Sequence, residues 1–358
     1  MDKEDQRFRV LGRAAGSNDA GRFERHARVS EDDGWAREDD LPVLRTQTSI
    51  EVPRRMITYN RSPDLPFDRS INPYRGCEHG CVYCFARPSH AYLGLSPGLD
   101  FETRLIARPD APEVLARELR SKRYEVAPIA IGTNTDPYQP IEKTHEIMRR
   151  FLEVLSAANH PVAIVTKGSL IERDIDILGD MAARGLAAVG ISVTTLDAKL
   201  SRLMEPRAPA PQRRLQMIRR LAEAGIPVRV MASPMIPALT DPELEAILTA
   251  GRDAGARHAS WIMLRLPREV SPLVQDWLAA HYPDRAERIM ARLRDMHGGK
   301  EYDAAWHRRM RGEGPYAQMV AQRFNLAVKR LGLSRSGMPL RCDLFRPPEI
   351  ETDQLSLF

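Results

Sequence analysis

Three of the four cysteines fall within eight residues, as Cys77-Glu-His-Gly-Cys81-Val-Tyr-Cys84. A disulfide framework spreads its cysteines along the chain. Thiols packed this tightly point instead to metal binding or catalysis in a reducing compartment. Three thiolates on one loop can wrap one metal centre. A tetrahedral zinc normally takes a fourth protein ligand, which Cys342, His79 or His90 would have to supply. A cluster held by three thiolates instead leaves one iron open to a cofactor or substrate. Tyr83, beside the last cysteine, offers a ring to lie against an adenine. Asn72-Pro-Tyr-Arg-Gly76 reads as a strand end turning sharply into the loop.

A repeating strand–helix rhythm surrounds this loop. Short runs that are apolar on both faces predict buried parallel strands at Ile129-Ala-Ile-Gly, Val162-Ala-Ile-Val-Thr-Lys, Ala188-Val-Gly-Ile-Ser-Val, Val228-Arg-Val-Met-Ala and Ser260-Trp-Ile-Met-Leu. Apolar spacing of three and four predicts helices over Pro112 to Ser121, Ile147 to Ala158, Ile175 to Arg184, Arg213 to Ala224 and Pro242 to Ala254. Gly225 and Gly255 stand where the last two need C-caps. With one more strand just before Cys77, the alternation implies an α/β fold of six repeats, a partial (β/α)6 barrel and not a closed eight-fold one.

The flanks have a different composition. Residues 1–52 are polar and poor in periodic apolar positions, which predicts a disordered tail, with ordered sequence beginning near Ile57. The barrel is expected over 53–268. Residues 269–346 form a helical C-terminal extension with basic faces, at Leu273 to Ala280, Arg285 to Met296 and Tyr316 to Leu331. From Asp284 to Arg346 there are 14 Lys and Arg against 7 Asp and Glu, which leaves the rest of the chain near neutral at a net charge of +5. A basic segment suits a nucleic-acid partner, and a solvated helical face is the plain alternative. No apolar run reaches the ~18 residues that a membrane span needs. The N-terminus lacks an apolar signal core, so the expected compartment is the cytoplasm.

The motifs taken together resemble a known family. Asn72-Pro-Tyr-Arg-Gly-Cys-Glu-His-Gly-Cys-Val-Tyr-Cys-Phe-Ala-Arg87, Gly98-Leu-Asp-Phe-Glu-Thr103, Thr135-Asp-Pro-Tyr-Gln-Pro140 and Glu205-Pro-Arg207 resemble the radical S-adenosylmethionine (SAM) superfamily. Within it they look like the DNA repair photolyase-like proteins related to spore photoproduct lyase. The resemblance spans roughly residues 55 to 345 and is more specific for cofactor chemistry than for substrate.

The resemblance implies a [4Fe–4S] cluster on Cys77, Cys81 and Cys84, with SAM chelating the open iron. An electron donor reduces the cluster, and SAM cleavage yields a 5′-deoxyadenosyl radical that takes hydrogen from the substrate. SAM contacts are then expected at strand C-termini: Tyr83, Thr133, Asn134, Thr135 and Asp136, Lys167 for the carboxylate, Ser192 and Thr194 for the ribose, and Glu205 and Arg207 beyond them. Plain alternatives are a turn at Thr135-Asp136-Pro137, a solvated Lys167, and a surface ion pair of Glu205 with Arg207. Spore photoproduct lyase carries an additional hydrogen-donating cysteine just after its second strand. Here Thr133 to Asp136 occupy that place, and Cys342 is the weak remaining candidate. The substrate is expected in nucleic acid, through DNA repair or modification. RNA, a peptide or a metabolite is the enzymatic alternative, and a zinc-stabilised DNA-binding clamp adaptor the non-catalytic one.

Residues 347–358 read as a flexible tail. Gln354-Leu355-Ser356-Leu357-Phe358 resembles the peptide by which bacterial polymerases and repair proteins dock on the replicative sliding clamp. Leu357 and Phe358 supply the apolar anchors and Gln354 a polar one. A clamp pull-down is expected to recover the full chain and to lose it when residues 354–358 are deleted; equal recovery of both forms would sink the assignment.

Overall fold

Short β-branched runs that are apolar on both faces bury themselves in a sheet covered on both sides. The computed structural model describes residues 12–24, 44–337 and 339–349. Its elements follow as β1 (Gln47–Ile50), β2 (Thr58–Tyr59), β3 (Arg69–Ile71), β4 (Tyr74–Arg75), α1 (Asp100–Thr103), β5 (Arg104–Ala107), α2 (Ala111–Leu119), β6 (Ile129–Ile131), α3 (Glu142–His145), α4 (Ile147–Ala157), β7 (Val162–Thr166), α5 (Ile175–Ala183), β8 (Ala187–Ser192), α6 (Ala198–Met204), α7 (Pro211–Glu223), β9 (Val228–Met235), α8 (Leu244–Asp253), β10 (His258–Met263), α9 (Val270–His281), α10 (Pro283–Met296) and α11 (Gly314–Leu331).

The main sheet has the order β10-β9-β8-β7-β6-β3-β2. All its pairings are parallel except the β2–β3 edge. Six parallel strands therefore form a partial barrel, as the alternation predicted. The register aligns Ile71 with Ile131, Ile131 with Ile164, Ile164 with Val189, and Val189 with Val228. Strand C-termini thus collect at one rim, and the cysteine loop leaves β3 at that rim. The helices between strands bury one face each: α4 does so with Ile147, Met148, Phe151, Leu152 and Leu155. Gly225 and Gly255 follow α7 and α8 with φ of 75° and 107°, the left-handed caps their positions require. Helices α9, α10 and α11 lay their apolar faces on the same core, with Phe324 of α11 against Trp261 of β10. No helix among the described residues is long and apolar enough to cross a membrane.

The N-terminal expectation needs correction. β1 pairs in parallel with β5, which pairs with β4 to complete a small second sheet. Arg13 donates to Glu102 O at 2.9 Å, to Leu44 O at 3.0 Å and to Thr46 Oγ1 at 2.9 Å. Residues 12–24 and 44–52 are therefore built onto the molecule. They are held by backbone pairing and by polar contacts through Arg13, Asn18 and Glu102, interactions that leave no apolar period in the sequence. The clamp-like residues Gln354, Leu355, Leu357 and Phe358 lie outside the described residues.

The segment 339–349 crosses the opposite end of the strands. Arg341 N donates to Gly185 O, just before β8, and Arg346 N to Ala158 O, before β7, both at 2.9 Å. Phe345 packs on Tyr124 and His160. His160 is fully buried. Its Nδ1 lies 3.0 Å from Pro161 O and its Nε2 2.6 Å from the Tyr124 hydroxyl, which suits a neutral ring protonated at Nδ1. Burial lowers its pKa from 6.5 to about 4. Across that window the unfolded chain binds the proton and the folded chain refuses it, so stability present at neutral pH is lost on acidification. Denaturant titrations between pH 7 and 4 are expected to show wild type losing up to about 3 kcal/mol more than His160→Gln; parallel losses would refute the assignment.

Candidate active site

A loop with few backbone partners of its own must borrow hydrogen bonds from side chains. The cysteine loop does so through a buried arginine. Arg87, 0% exposed, donates to Cys81 O at 3.0 Å, Gly80 O at 3.2 Å, Pro97 O at 3.0 Å and Gly98 O at 2.9 Å. It also meets Glu102, equally buried, at 2.5 Å. Glu102 in turn accepts from Ala15 N at 3.1 Å. At Gly80, φ is 67° and a Cβ would stand 2.6 Å from Glu102 Oε2, so the close approach of loop to carboxylate requires glycine. On the other flank Thr135 Oγ1 donates to Gly76 O at 2.7 Å. Gln139 donates to the same carbonyl at 3.2 Å and accepts from Glu78 N at 2.8 Å.

Cys77 and Cys81 are buried and Cys84 half-buried. Burial pushes the Cys77 and Cys81 thiols above their ordinary range, so thiolates here need the positive charge of bound metal. The fourth ligands that a zinc would need are engaged elsewhere or distant. His79 lies 3.3 Å from Asp136, and His90 Nε2 is 3.0 Å from Arg104 O. Cys342 sits at the opposite end of the strands, beside Arg341 with its bond to Gly185. That position also removes it as a hydrogen donor to anything held at the cysteine rim.

The strand ends bring most of the expected polar residues to that rim, but in two sets. One is engaged by the protein. Asp136 accepts from Thr166 Oγ1 at 2.6 Å, Lys167 N at 2.7 Å and Tyr138 N at 2.9 Å. Burial opposes its charge, yet His79 and these donors bring its pKa down to about 2. Asp136 and Thr135 thus brace the loop, a tighter arrangement than the turn that Pro137 suggested. Glu205 and Arg207 do not pair with each other. Glu205, 1% exposed, is bridged to buried Arg214 and accepts from the Tyr83 hydroxyl, with Thr194 Oγ1 at 2.9 Å. Arg207 reaches Glu78 at 2.7 Å. The second set remains available. The Lys167 side chain is only 16% exposed and is no solvated lysine: its Nζ lies 4.0 Å from Glu205 and 5.9 Å from the Tyr83 ring centroid. Asn134 and Thr133 are oriented by Asn72, at 3.0 and 3.4 Å. The backbone N–H of Asn134 makes the first of these bonds, whereas its side-chain carboxamide and the Ser192 hydroxyl make none among the described residues.

Sequence reasoning left Arg87, Glu102, Gln139 and Arg214 without roles. The first three stand inside the motif stretches, where their types were a signal. Arg214 lies on α7 at a helical surface spacing that carries none.

A partial parallel barrel with a three-cysteine loop on its C-terminal rim defines the class. The chain belongs to the Radical SAM superfamily, whose model matches residues 71–250; it is an enzyme of that family, which works with a [4Fe–4S] cluster and SAM. An uncharacterized protein of Mycobacterium tuberculosis (strain ATCC 25618 / H37Rv) is 36% identical over 248 residues, 69% of this chain and 72% of that one. An uncharacterized protein of Methanocaldococcus jannaschii is 26% identical over 174 residues, 48% of this chain and 62% of that one. Among solved structures, spore photoproduct lyase complexed with dinucleoside spore photoproduct has a similar fold. Its TM-score is 0.58 at 15% identity, covering 80% of this chain and 81% of that one. A mutant of the same lyase with bound AdoMet and dinucleoside spore photoproduct matches at TM-score 0.57, 14% identity and the same coverage.

Removing Arg87 leaves Glu102 charged and unpaired in the interior. Arg87→Met is expected to lower stability by about 3–5 kcal/mol in urea titrations, with partial recovery in the double variant Arg87→Met/Glu102→Leu. An unchanged midpoint for the single variant would deny the pair its structural role.

Proposed function

We propose that this radical SAM enzyme acts on nucleic acid, in the repair or modification of DNA. The observation that carries the cofactor half of this reading is the cysteine loop lying at the strand C-termini beside polar groups that the protein leaves available. The substrate half is supported by two features. The fold resembles a lyase whose solved complexes hold a dinucleoside photoproduct. Arg285, Arg288 and Arg292 line a cleft of about 390 Å³ with Ala238, Asp241 and Pro242 from the connection after β9, on the side of the strand ends.

Cys77, Cys81 and Cys84 would hold the cluster. Reductive cleavage of SAM and hydrogen-atom abstraction are the chemistry supplied when both are bound. Lys167, desolvated at the end of β7, places a cation for SAM's carboxylate. Asn134 and Thr133 offer polar groups to its methionine part, and Ser192 a hydroxyl to its ribose. The Tyr83 ring has its hydroxyl tied by Glu205 and Thr194, so its plane is set before any adenine arrives. Thr135, Asp136 and Arg207 work as positioning residues through the loop. The enzyme would draw on an external electron donor, and the C-terminal peptide would tether it to the sliding clamp.

Anaerobic reconstitution, reduction and addition of SAM are expected to yield 5′-deoxyadenosine. Cys81→Ala should lose both the iron and the product, and Lys167→Ala should weaken SAM binding about tenfold, one charge-assisted contact. Wild type should also bind oligonucleotides with an affinity that falls steeply as salt rises. Colourless protein without SAM cleavage would overturn the cofactor assignment. Salt-independent or absent oligonucleotide binding would overturn the nucleic-acid assignment.

A further inference from the structure

Three arginines around the cysteine loop each meet a carboxylate: Arg87 meets Glu102, Arg207 meets Glu78 and Arg214 meets Glu205. Arg265 does not. It follows β10 at the rim and makes no hydrogen bond or ion pair among the described residues. Its guanidinium stacks on a ring. The guanidinium carbon lies 4.0 Å from the centroid of Phe85, the residue after Cys84. Asp64, within electrostatic reach, is engaged elsewhere: Arg309 Nε and His307 N each donate to it at 2.7 Å. Burial above all weighs against the Arg265 charge and Arg309 adds repulsion, while Tyr302, Cys84 and Asp64 favour it without bonding to it.

A partly buried guanidinium without an anion is unfavourable unless a ligand completes it. With a face on an aromatic ring, its in-plane N–H groups remain free for two oxygens of one oxyanion. Phe85 is 45% exposed, although it directly follows the most accessible of the three cysteines. An exposed ring beside an unpaired arginine is the pairing that single-stranded nucleic acid uses, phosphate on the cation and base on the ring. SAM's carboxylate is the rival oxyanion, and Lys167 already stands ready for it.

We propose that Arg265 and Phe85 form a substrate subsite at the edge of the cysteine loop. Arg265 takes a phosphodiester of a nucleic-acid strand, and Phe85 stacks the adjoining base. This assignment rests on the nucleic-acid reading above and adds where the strand enters relative to the reacting centre.

The test uses the full-length reconstituted protein and labelled single-stranded oligonucleotides, with fluorescence anisotropy over a series of salt concentrations and a separate SAM-binding titration. Arg265→Gln is expected to weaken oligonucleotide binding about tenfold and to reduce the log–log salt slope by about 0.7, one phosphate contact on a single strand. Arg265→Lys should restore the slope and only part of the affinity. Phe85→Ala should weaken binding about tenfold with the slope unchanged, and Phe85→Tyr should restore it. SAM affinity should stay within about twofold in the Arg265 variants, since no cofactor contact is removed. Wild-type binding with Arg265→Gln unchanged in affinity and slope overturns the subsite alone. Weakened SAM binding in Arg265→Gln, with oligonucleotide binding intact, assigns the cation to the cofactor and likewise overturns it. A wild type that binds no oligonucleotide overturns the nucleic-acid reading itself.

Discussion

The ion pair of Arg87 and Glu102 carries the cysteine loop. Neither residue is exposed, and each does more than balance the other. Arg87 satisfies loop carbonyls on both sides of Cys81, while Glu102 fills the space under Gly80 and ties down the segment at Ala15. A charged pair is an expensive thing to bury for stability alone. Its use here is geometric: with Thr135 and Gln139 on the other flank, it fixes the loop that carries the three thiols. Glycine at 80 and the docking of the backbone at Ala14 and Ala15 follow from the same requirement.

Charge pairing organises the rest of the rim. Glu78 sits between Arg207 and Thr46, Glu205 between Arg214 and Tyr83, and Asp136 between His79 and Thr166. Each carboxylate is fully engaged by protein donors and fixes a neighbour in the loop or at a strand end. In this setting, side chains that keep polar groups for a ligand stand out. Lys167, Asn134 and Ser192 lie on one stretch of the rim and Arg265 on another. That separation is consistent with one ligand held near β6 to β8 and a second approaching from β10.

The barrel was legible in the sequence because its determinants are local. Continuous apolar runs, three-and-four spacing and glycine caps each report on a few adjacent residues, and the six strands and their helices appeared within a few positions of where those signals put them. The N-terminal segment was not legible: Arg13 and β1 are held by partners about ninety and fifty-seven residues away, Glu102 and Arg104, and a pairing with a distant edge leaves no period. The same limit explains Glu205 and Arg207. Two residues apart in sequence, they suggest each other, yet the fold turns each toward a partner from another element.

By itself, the sequence determined the cysteine loop, its chemical class and the parallel alternation, since thiol spacing and hydrophobic periodicity are properties of short stretches. Only the tertiary structure decided which polar residues brace the loop and which stay available, that Cys342 lies at the far end of the strands, and that Arg265 meets no carboxylate among the described residues. Those are questions of who stands next to whom across the chain, and burial gives such neighbours their energy only after folding has brought them together.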